Sequence, residues 1–230
     1  MNILSAEESL FKQDAVEFMK TFSNSAIDLI VTDLPYESLE KHRKTGTTTR
    51  LKNSKASSNK WFEIFPNSRF EELFTEFYRV LKPNTHLYMF CDAETSFIMK
   101  PVGEKVGFKF WKPIIWDKKF LGMGYHYRAK YEMILFFEKG KKKINDLSIP
   151  DIIQVPRVYK GYPTEKPVEL LEILIKQSTI EGELVVDPFV GAGSAGIAAL
   201  KNGRNFYGAD ISEEALEITY SRIKELEKNG

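Results

Sequence analysis

The sequence predicts a single α/β domain built on a doubly wound, mostly parallel sheet. Three observations predict it. Short apolar runs rich in branched residues alternate with stretches of helical apolar spacing; the first such run ends at a proline; and near the C-terminus a glycine loop sits between a strand and a helix. A chain of 230 residues, 43% hydrophobic and 28% charged, suffices for one sizeable core with loop insertions.

Ser25 to Thr32 (SAIDLIVT) reads as a buried parallel strand, closed by Asp33-Leu34-Pro35, where proline forbids an ordinary continuation. Glu37 to Lys60 is polar and basic, with Thr45-Gly46-Thr47-Thr48-Thr49 inside it, and is long for a connection within one domain. Such loops are functional lids or flexible segments. Phe70, Leu73, Phe74, Phe77, Val80 and Leu81 fall on one helical face, and that helix stops before Pro83. Thr85 to Cys91 follows as a second strand, so the helix forms a crossover. Phe110 to Trp116 and Glu132 to Phe137 are two further strands. The connection between them carries Gly122-Met123-Gly124 and Tyr125-His126-Tyr127-Arg128. Lys166 to Thr179 is a helix opened by Thr164 and Pro167. The chain then closes with a strand at Glu183 to Val186, a helix at Ser194 to Lys201, a strand at Asn205 to Ala209 and a helix at Glu213 to Lys228.

Several function classes are disfavoured at this level. The first ten residues lack a signal peptide's basic start and apolar run, and no stretch approaches the roughly 18 apolar residues of a membrane span. A cytoplasmic protein is expected. One cysteine, Cys91, and three scattered histidines give no zinc spacing, so no bound metal is expected. Net charge is +1, but its distribution is uneven. Met1 to Glu40 holds eight acidic residues against two lysines, Lys41 to Lys60 seven basic and no acidic ones, and Lys100 to Lys143 twelve basic against four acidic. Such stripes suit a polyanion, since each neutralised phosphate releases counterions, although solvated surface produces them too.

The segment from Leu184 through Asp187-Pro188-Phe189-Val190-Gly191-Ala192-Gly193 to Ser194 has the features of an adenosine site. Glycines let the backbone approach a ligand, the following helix offers unpaired N–H groups, and Asp210, with Ile211 beside it, ends the next strand where a carboxylate binds ribose hydroxyls. Gly191, Gly193 and Gly196 also satisfy the dinucleotide pattern G-x-G-x-x-G. Against NAD, Asp187 at the loop entrance repels a pyrophosphate and attracts a cation, and too little chain follows for a second nucleotide half.

Asp33-Leu34-Pro35-Tyr36, ahead of Asp187 to Gly193, resembles the amino-methylating DNA methyltransferases, in the permuted order of their beta group. Further segments support the resemblance. Gln13-Asp14-Ala15 is similar to the family's acidic position near the cofactor adenine, and Arg79 to Pro83 to its helix end. Ile115-Trp116-Asp117-Lys118 resembles a later strand, and Tyr162-Pro163-Thr164-Glu165-Lys166-Pro167 the segment around the methionine end. The resemblance implies a Rossmann-like fold with S-adenosylmethionine as cofactor, held by Asp14, Ala15, Asp33, Thr164, Lys166, Pro167, Asp187, Pro188, Phe189, Gly191, Ala192, Gly193, Asp210 and Ile211. It implies Asp33, Leu34, Pro35 and Tyr36 as catalytic residues. Asp33 and a backbone carbonyl would hold the two hydrogens of an exocyclic amine, and Tyr36 would stack on a base flipped from double-stranded DNA.

Two departures stand out. Leucine replaces the usual proline at position 34, where the family needs a main-chain carbonyl, and the span from Lys118 to Pro163 is shorter than many relatives' target-recognition inserts. Recognition is then expected from residues 37–60 and 118–160. Aspartate at position 33 implies adenine N6 in this family. Cytosine N4, an RNA or glutamine-amide acceptor, a catalytically impaired DNA-binding subunit and a NAD enzyme are the alternatives. A homodimer and a cognate restriction endonuclease are the partners the resemblance adds to DNA.

Overall fold

The computed structural model describes residues 6–38, 63–122, 126–159 and 165–229. In chain order the first half comprises α1 (Ala6–Ser9), β1 (Leu10–Lys12), α2 (Ala15–Lys20), β2 (Ile27–Thr32), α3 (Phe70–Val80), β3 (Leu81–Cys91), α4 (Ala93–Val106) and β4 (Lys109–Asp117). The second half comprises β5 (Tyr131–Lys139), β6 (Ile152–Gln154), α5 (Val168–Ser178), β7 (Leu184–Asp187), α6 (Ser194–Lys201), β8 (Asn205–Asp210) and α7 (Glu213–Asn229).

The strands form one eight-stranded sheet in the order β1-β8-β7-β2-β3-β5-β4-β6. Every neighbouring pair is parallel except those of β5, which runs antiparallel to both β3 and β4. The predicted mostly parallel, doubly wound sheet is therefore present, with one reversed strand that periodicity did not reveal. That reversal matters for the site: the first residues of β5 lie at the same edge as the last residues of β2, β3 and β4.

Side chains alternate between two cores, as the two-residue period of a strand requires. Ile30, Leu87, Met89, Leu135 and Phe137 face a core shared with α2, α3 and α4. Leu29, Val31, Tyr88, Phe90 and Ile134 face one shared with α5, α6 and α7. Because both faces are covered, β2 is buried from end to end, which is why it reads as a continuous apolar run. Helix α3 buries Phe70, Leu73, Phe74, Phe77 and Val80, with Glu71 and Glu72 in its first turn and Arg79 in its last, both favourable to the helix dipole.

The elements differ from expectation in several places. Strand β3 begins at Leu81 rather than Thr85: a register shift against β2 between Ile27 and Leu29 absorbs the extra residues, with Asn84 at φ 60. Helix α5 begins at Val168 rather than Lys166, because Pro167 caps it in an extended conformation. Helix α4 was not expected at all; Asp92 caps it by accepting from the Thr95 amide, Gly107 ends it at φ 122, and Pro101 lies inside it. The short β1, α1, α2 and β6 also escaped the sequence reading. No helix among the described residues is long and apolar enough to cross a membrane.

Candidate active site

The sheet order places β7 directly between β2 and β8, so the ends of the two candidate motifs meet at one edge. The Thr32 hydroxyl, last in β2, donates to Asp187 Oδ1, last in β7, at 2.6 Å across 155 positions of sequence. Asp187 Oδ1 also accepts from the Phe189 amide at 3.0 Å. Burial pushes the Asp187 carboxyl up to about 7, against those two hydrogen bonds and with the help of nearby Asp33 and Asp210.

Backbone conformation shapes the loop after Asp187. Gly193 sits at φ 77 immediately before α6, and a Cβ there would lie 2.5 Å from Thr219 Cγ2 on α7, so glycine is needed for both conformation and space. The Thr219 hydroxyl donates to the Gly191 carbonyl at 2.8 Å, and Arg222 of the same helix donates to the Ala192 carbonyl while pairing with Glu165 at 2.9 Å. Opposite the loop, Asp210 accepts from the Gly191 amide at 3.0 Å and the Ser212 amide at 2.9 Å. Burial raises its carboxyl above the ordinary value, partly offset by those amides.

Whether this loop fits an adenosine-bearing ligand is tested by its polar groups. The Ser194 hydroxyl, at the start of α6, is buried with no hydrogen-bond partner among the described residues. A buried polar atom so placed calls for a polar ligand or water. With the α6 amides, the Asp210 carboxylate and half-exposed Ile211 beside it, the donor and acceptor set fits a nucleoside, and Asp187 fits a cationic group at its far end.

Asp33 stands just beyond β2 at the centre of this edge. Its Oδ2 is held by the Lys166 ammonium, which crosses the Phe90 ring of β3 at 5.2 Å from the centroid. Lys166 also pairs with Glu132 Oε1 at 3.0 Å, and Glu132 Oε2 pairs with Lys118 at 2.7 Å. Four charges thus alternate along the edge in the order Asp33, Lys166, Glu132, Lys118. Burial raises the Asp33 carboxyl; Lys166 pulls it down by less, and Glu132 adds to the rise. For Glu132 burial also acts upward, but Lys166 and Lys118 together outweigh it and leave the carboxyl below its ordinary value. Lys166, which burial alone would lower, is held above the usual lysine value by the two carboxylates.

The remaining expected residues fall into place unevenly. Leu34 is buried in the first core, so its side chain packs while its main chain lines the edge. The Pro35 carbonyl accepts from the Phe65 amide at 2.7 Å, and Tyr36 forms a bridge with Phe65 and is only 8% exposed. Little of the Tyr36 ring is therefore presented to a ligand. Asp14 caps α2 and is gripped at both oxygens by Arg69, at 2.8 and 2.9 Å, which holds its carboxyl below the usual range. Ala15 is buried beside it. Phe189 packs edge-on against Phe65 at 5.3 Å, bringing the loop and the Pro35 segment together. Pro188 lies in the same loop. Thr164 and positions 39–60 of the basic loop lie outside the described residues.

The model of the N6 and N4 DNA methylases matches residues 27–221, a span that contains Asp33, the charge chain, the glycine loop and Asp210. The chain belongs to that DNA methylase family. Type II methyltransferase M.HpaI of Haemophilus parainfluenzae is 28% identical over 254 residues, covering 97% of this chain and 76% of that protein. Among solved structures, the M1.HpyAVI–SAM complex is 22% identical with a TM-score of 0.68, covering 93% of this chain and 98% of the other. The cytosine-N4-specific PvuII DNA methyltransferase shares 13% identity at a TM-score of 0.67, over 96% and 91% of the chains. The sheet and its strand order are thus the family's.

Sequence reading missed Thr32, Arg69, Glu132, Thr219 and Arg222. Glu132 left one trace, a carboxylate directly ahead of the apolar run Met133 to Phe137, and burying a charge there is costly without partners. The partners come from segments whose approach depends on strand order, which a single sequence does not display.

Proposed function

We propose that this chain transfers a methyl group from S-adenosylmethionine to adenine N6 in double-stranded DNA, at a short recognition sequence, within a restriction-modification or epigenetic system. The observation that carries this reading is the 2.6 Å hydrogen bond from Thr32 to Asp187, which joins the residue before Asp33 to the entrance of the glycine loop. A base amine held at Asp33 then lies next to a ligand held by the loop.

The cofactor, when bound, supplies an electrophilic methyl on a cationic sulfur. Asp210, the Gly191 to Gly193 backbone and Ser194 would hold its nucleoside end, and Asp187 would favour its positive charge. The Asp33 carboxylate and the Leu34 carbonyl accept the two N–H bonds of the substrate amine, which withdraws its lone pair from the ring and directs it to the methyl. Lys166 fixes Asp33 by one oxygen and leaves Oδ1 for the amine. No imidazole is required, and His86 is consistent with that: it is fully buried, 2.7 Å from Ser178, with its pKa lowered by burial.

The surface around this edge supports a DNA substrate. Arg157 lies over the rings of both Phe120 and Tyr159, at 4.4 and 4.6 Å, and Tyr127 is fully exposed, so aromatic faces and cations occur together, the combination that binds unpaired bases and phosphates. Target recognition is assigned to this 118–160 region. Adenine is preferred over cytosine because the acceptor is held by an aspartate.

The test is radioactive methyl transfer to unmethylated genomic DNA, followed by nucleoside analysis. Wild type should yield N6-methyladenine. Asp33→Ala should bind S-adenosylmethionine normally while its transfer rate falls about 1,000-fold. Equal transfer by the variant removes Asp33 from the chemistry, and N4-methylcytosine as the product replaces the acceptor.

A further inference from the structure

The chain of four charges contains two members, Glu132 and Lys118, that neither the glycine loop nor the amine-holding pair requires. Glu132 is the second residue of β5, followed by Met133, Ile134 and Leu135, and its side chain is 13% exposed. A neutral residue there would avoid the desolvation of a carboxylate. It reaches the edge because β5 is reversed, with Glu132 opposite Trp116 of β4 and Met133 opposite Cys91 of β3.

The geometry points to Glu132 as a positioning residue for the transfer: it shares the Lys166 ammonium with Asp33, so that Lys166 fixes one oxygen of Asp33 without withdrawing the carboxylate from the substrate amine. This rests on the reading of Asp33 given above. An ammonium with Asp33 as its single partner in a buried site would bind it tightly and weaken it as a hydrogen-bond acceptor. With Glu132 at 3.0 Å the same ammonium is divided between two carboxylates, and Lys118 at 2.7 Å compensates the second one. Lys118 is itself steadied over the Trp116 ring at 5.0 Å. The balance of the chain therefore sets how available Asp33 is.

Other titratable groups surround Asp33 on every side. Tyr36 follows it in its own segment, Cys91 ends β3, Asp92 caps α4, Asp187 ends β7, and Lys166 enters from the segment before α5. Of all the charges acting on Asp33, Glu132 and Lys118 are the pair that can be altered without removing a group that holds the amine or the nucleoside.

The decisive experiment follows single-turnover methyl transfer to unmethylated genomic DNA across pH in the full chain. Glu132→Gln should lower the maximal rate about 100-fold, with S-adenosylmethionine affinity by calorimetry changed less than about threefold. It should also move the acidic limb of the profile to lower pH, because a negative charge near Asp33 is gone. Glu132→Asp keeps the charge and should return the limb to its wild-type position. Lys118→Gln should move the limb the opposite way, to higher pH, and decides the matter alone if Glu132→Gln does not fold. An acidic limb unmoved in the folded variants overturns the inference, whatever happens to the rate. If Asp33→Ala is inactive and the limb stays still, only this inference fails; if Asp33→Ala remains active, the reading of Asp33 fails first.

Discussion

The two halves of the candidate site are built from different materials. The nucleoside half, from Asp187 through Asp210, is made largely of backbone: glycine conformations, helix amides and main-chain carbonyls, drawn mostly from one contiguous βαβ stretch. The amine half is made of side-chain charges from four segments, Asp33, Lys118, Glu132 and Lys166. A backbone site is fixed by local steric rules and tolerates few substitutions, whereas a charge chain is adjustable and responds to pH. Damage to the two halves should therefore look different.

The largest effect is expected from Lys166→Met. It leaves Asp33 and Glu132 as like charges with no cation between them, and removing one partner of a buried pair costs about 3–5 kcal/mol. Thermal unfolding should show that loss, together with transfer reduced to near background. A stable variant with wild-type turnover would mean that the charge chain is ornamental and the contrast between the halves is false.

Next is Gly193→Ala, aimed at the other half. The positive φ and the 2.5 Å approach to Thr219 make any Cβ strained, by about 2 kcal/mol or more. Cofactor affinity, read by calorimetry, should collapse, while the position of the acidic limb in any residual activity stays unchanged. A shifted limb would show that the two halves are not separable.

A third effect comes from Asp187, whose carboxyl is raised by burial to about 7. The folded chain holds a proton there that the unfolded chain has released, so this group's contribution to stability is full below about pH 4 and declines as pH rises toward 7, by roughly 1.4 kcal/mol per unit across that window. A cationic ligand favours the ionised form. S-adenosylmethionine binding should accordingly strengthen with pH up to about 7 and release protons, detected by titration in buffers of different ionisation enthalpy. Binding without proton release would place the positive charge away from Asp187.

These contrasts also explain what could be read from the chain alone. The nucleoside half was legible because its residues are neighbours in sequence and each obeys a conformational rule: glycine where φ is positive, Asp210 at a strand end. Asp33 was legible through the proline that follows its strand. Glu132 and Arg69 were not, since what makes each of them matter is a partner 34 or more positions away, Lys166 for one and Asp14 for the other. Helix α4 was hidden for a different reason: Pro101 and exposed Phe97 break the apolar pattern on which a helix is recognised.

The smallest effect on turnover should come from Leu34→Pro. The position supplies a carbonyl that proline retains, so the rate should stay within about threefold of wild type, although loss of a buried leucine lowers stability by about 2 kcal/mol. A large loss of rate with stability intact would show that the leucine side chain, rather than its carbonyl, serves the amine half.

The reversed direction of β5 has a further consequence for how such a site can diversify. Strands β4 and β5 form a long hairpin whose legs are tied at its mouth by the Lys118 amide to the Lys130 carbonyl and farther out by Gly122 to Ala129. That hairpin springs from the edge where Asp33 stands, and its legs carry Lys118 and Glu132 at the base. Residues inserted between Gly122 and Ala129 lengthen the outer end and leave every base pairing of β4 with β5 in register. The surface offered to a substrate can therefore be rewritten by simple insertion or deletion there, while the charges that govern Asp33 remain anchored in the sheet.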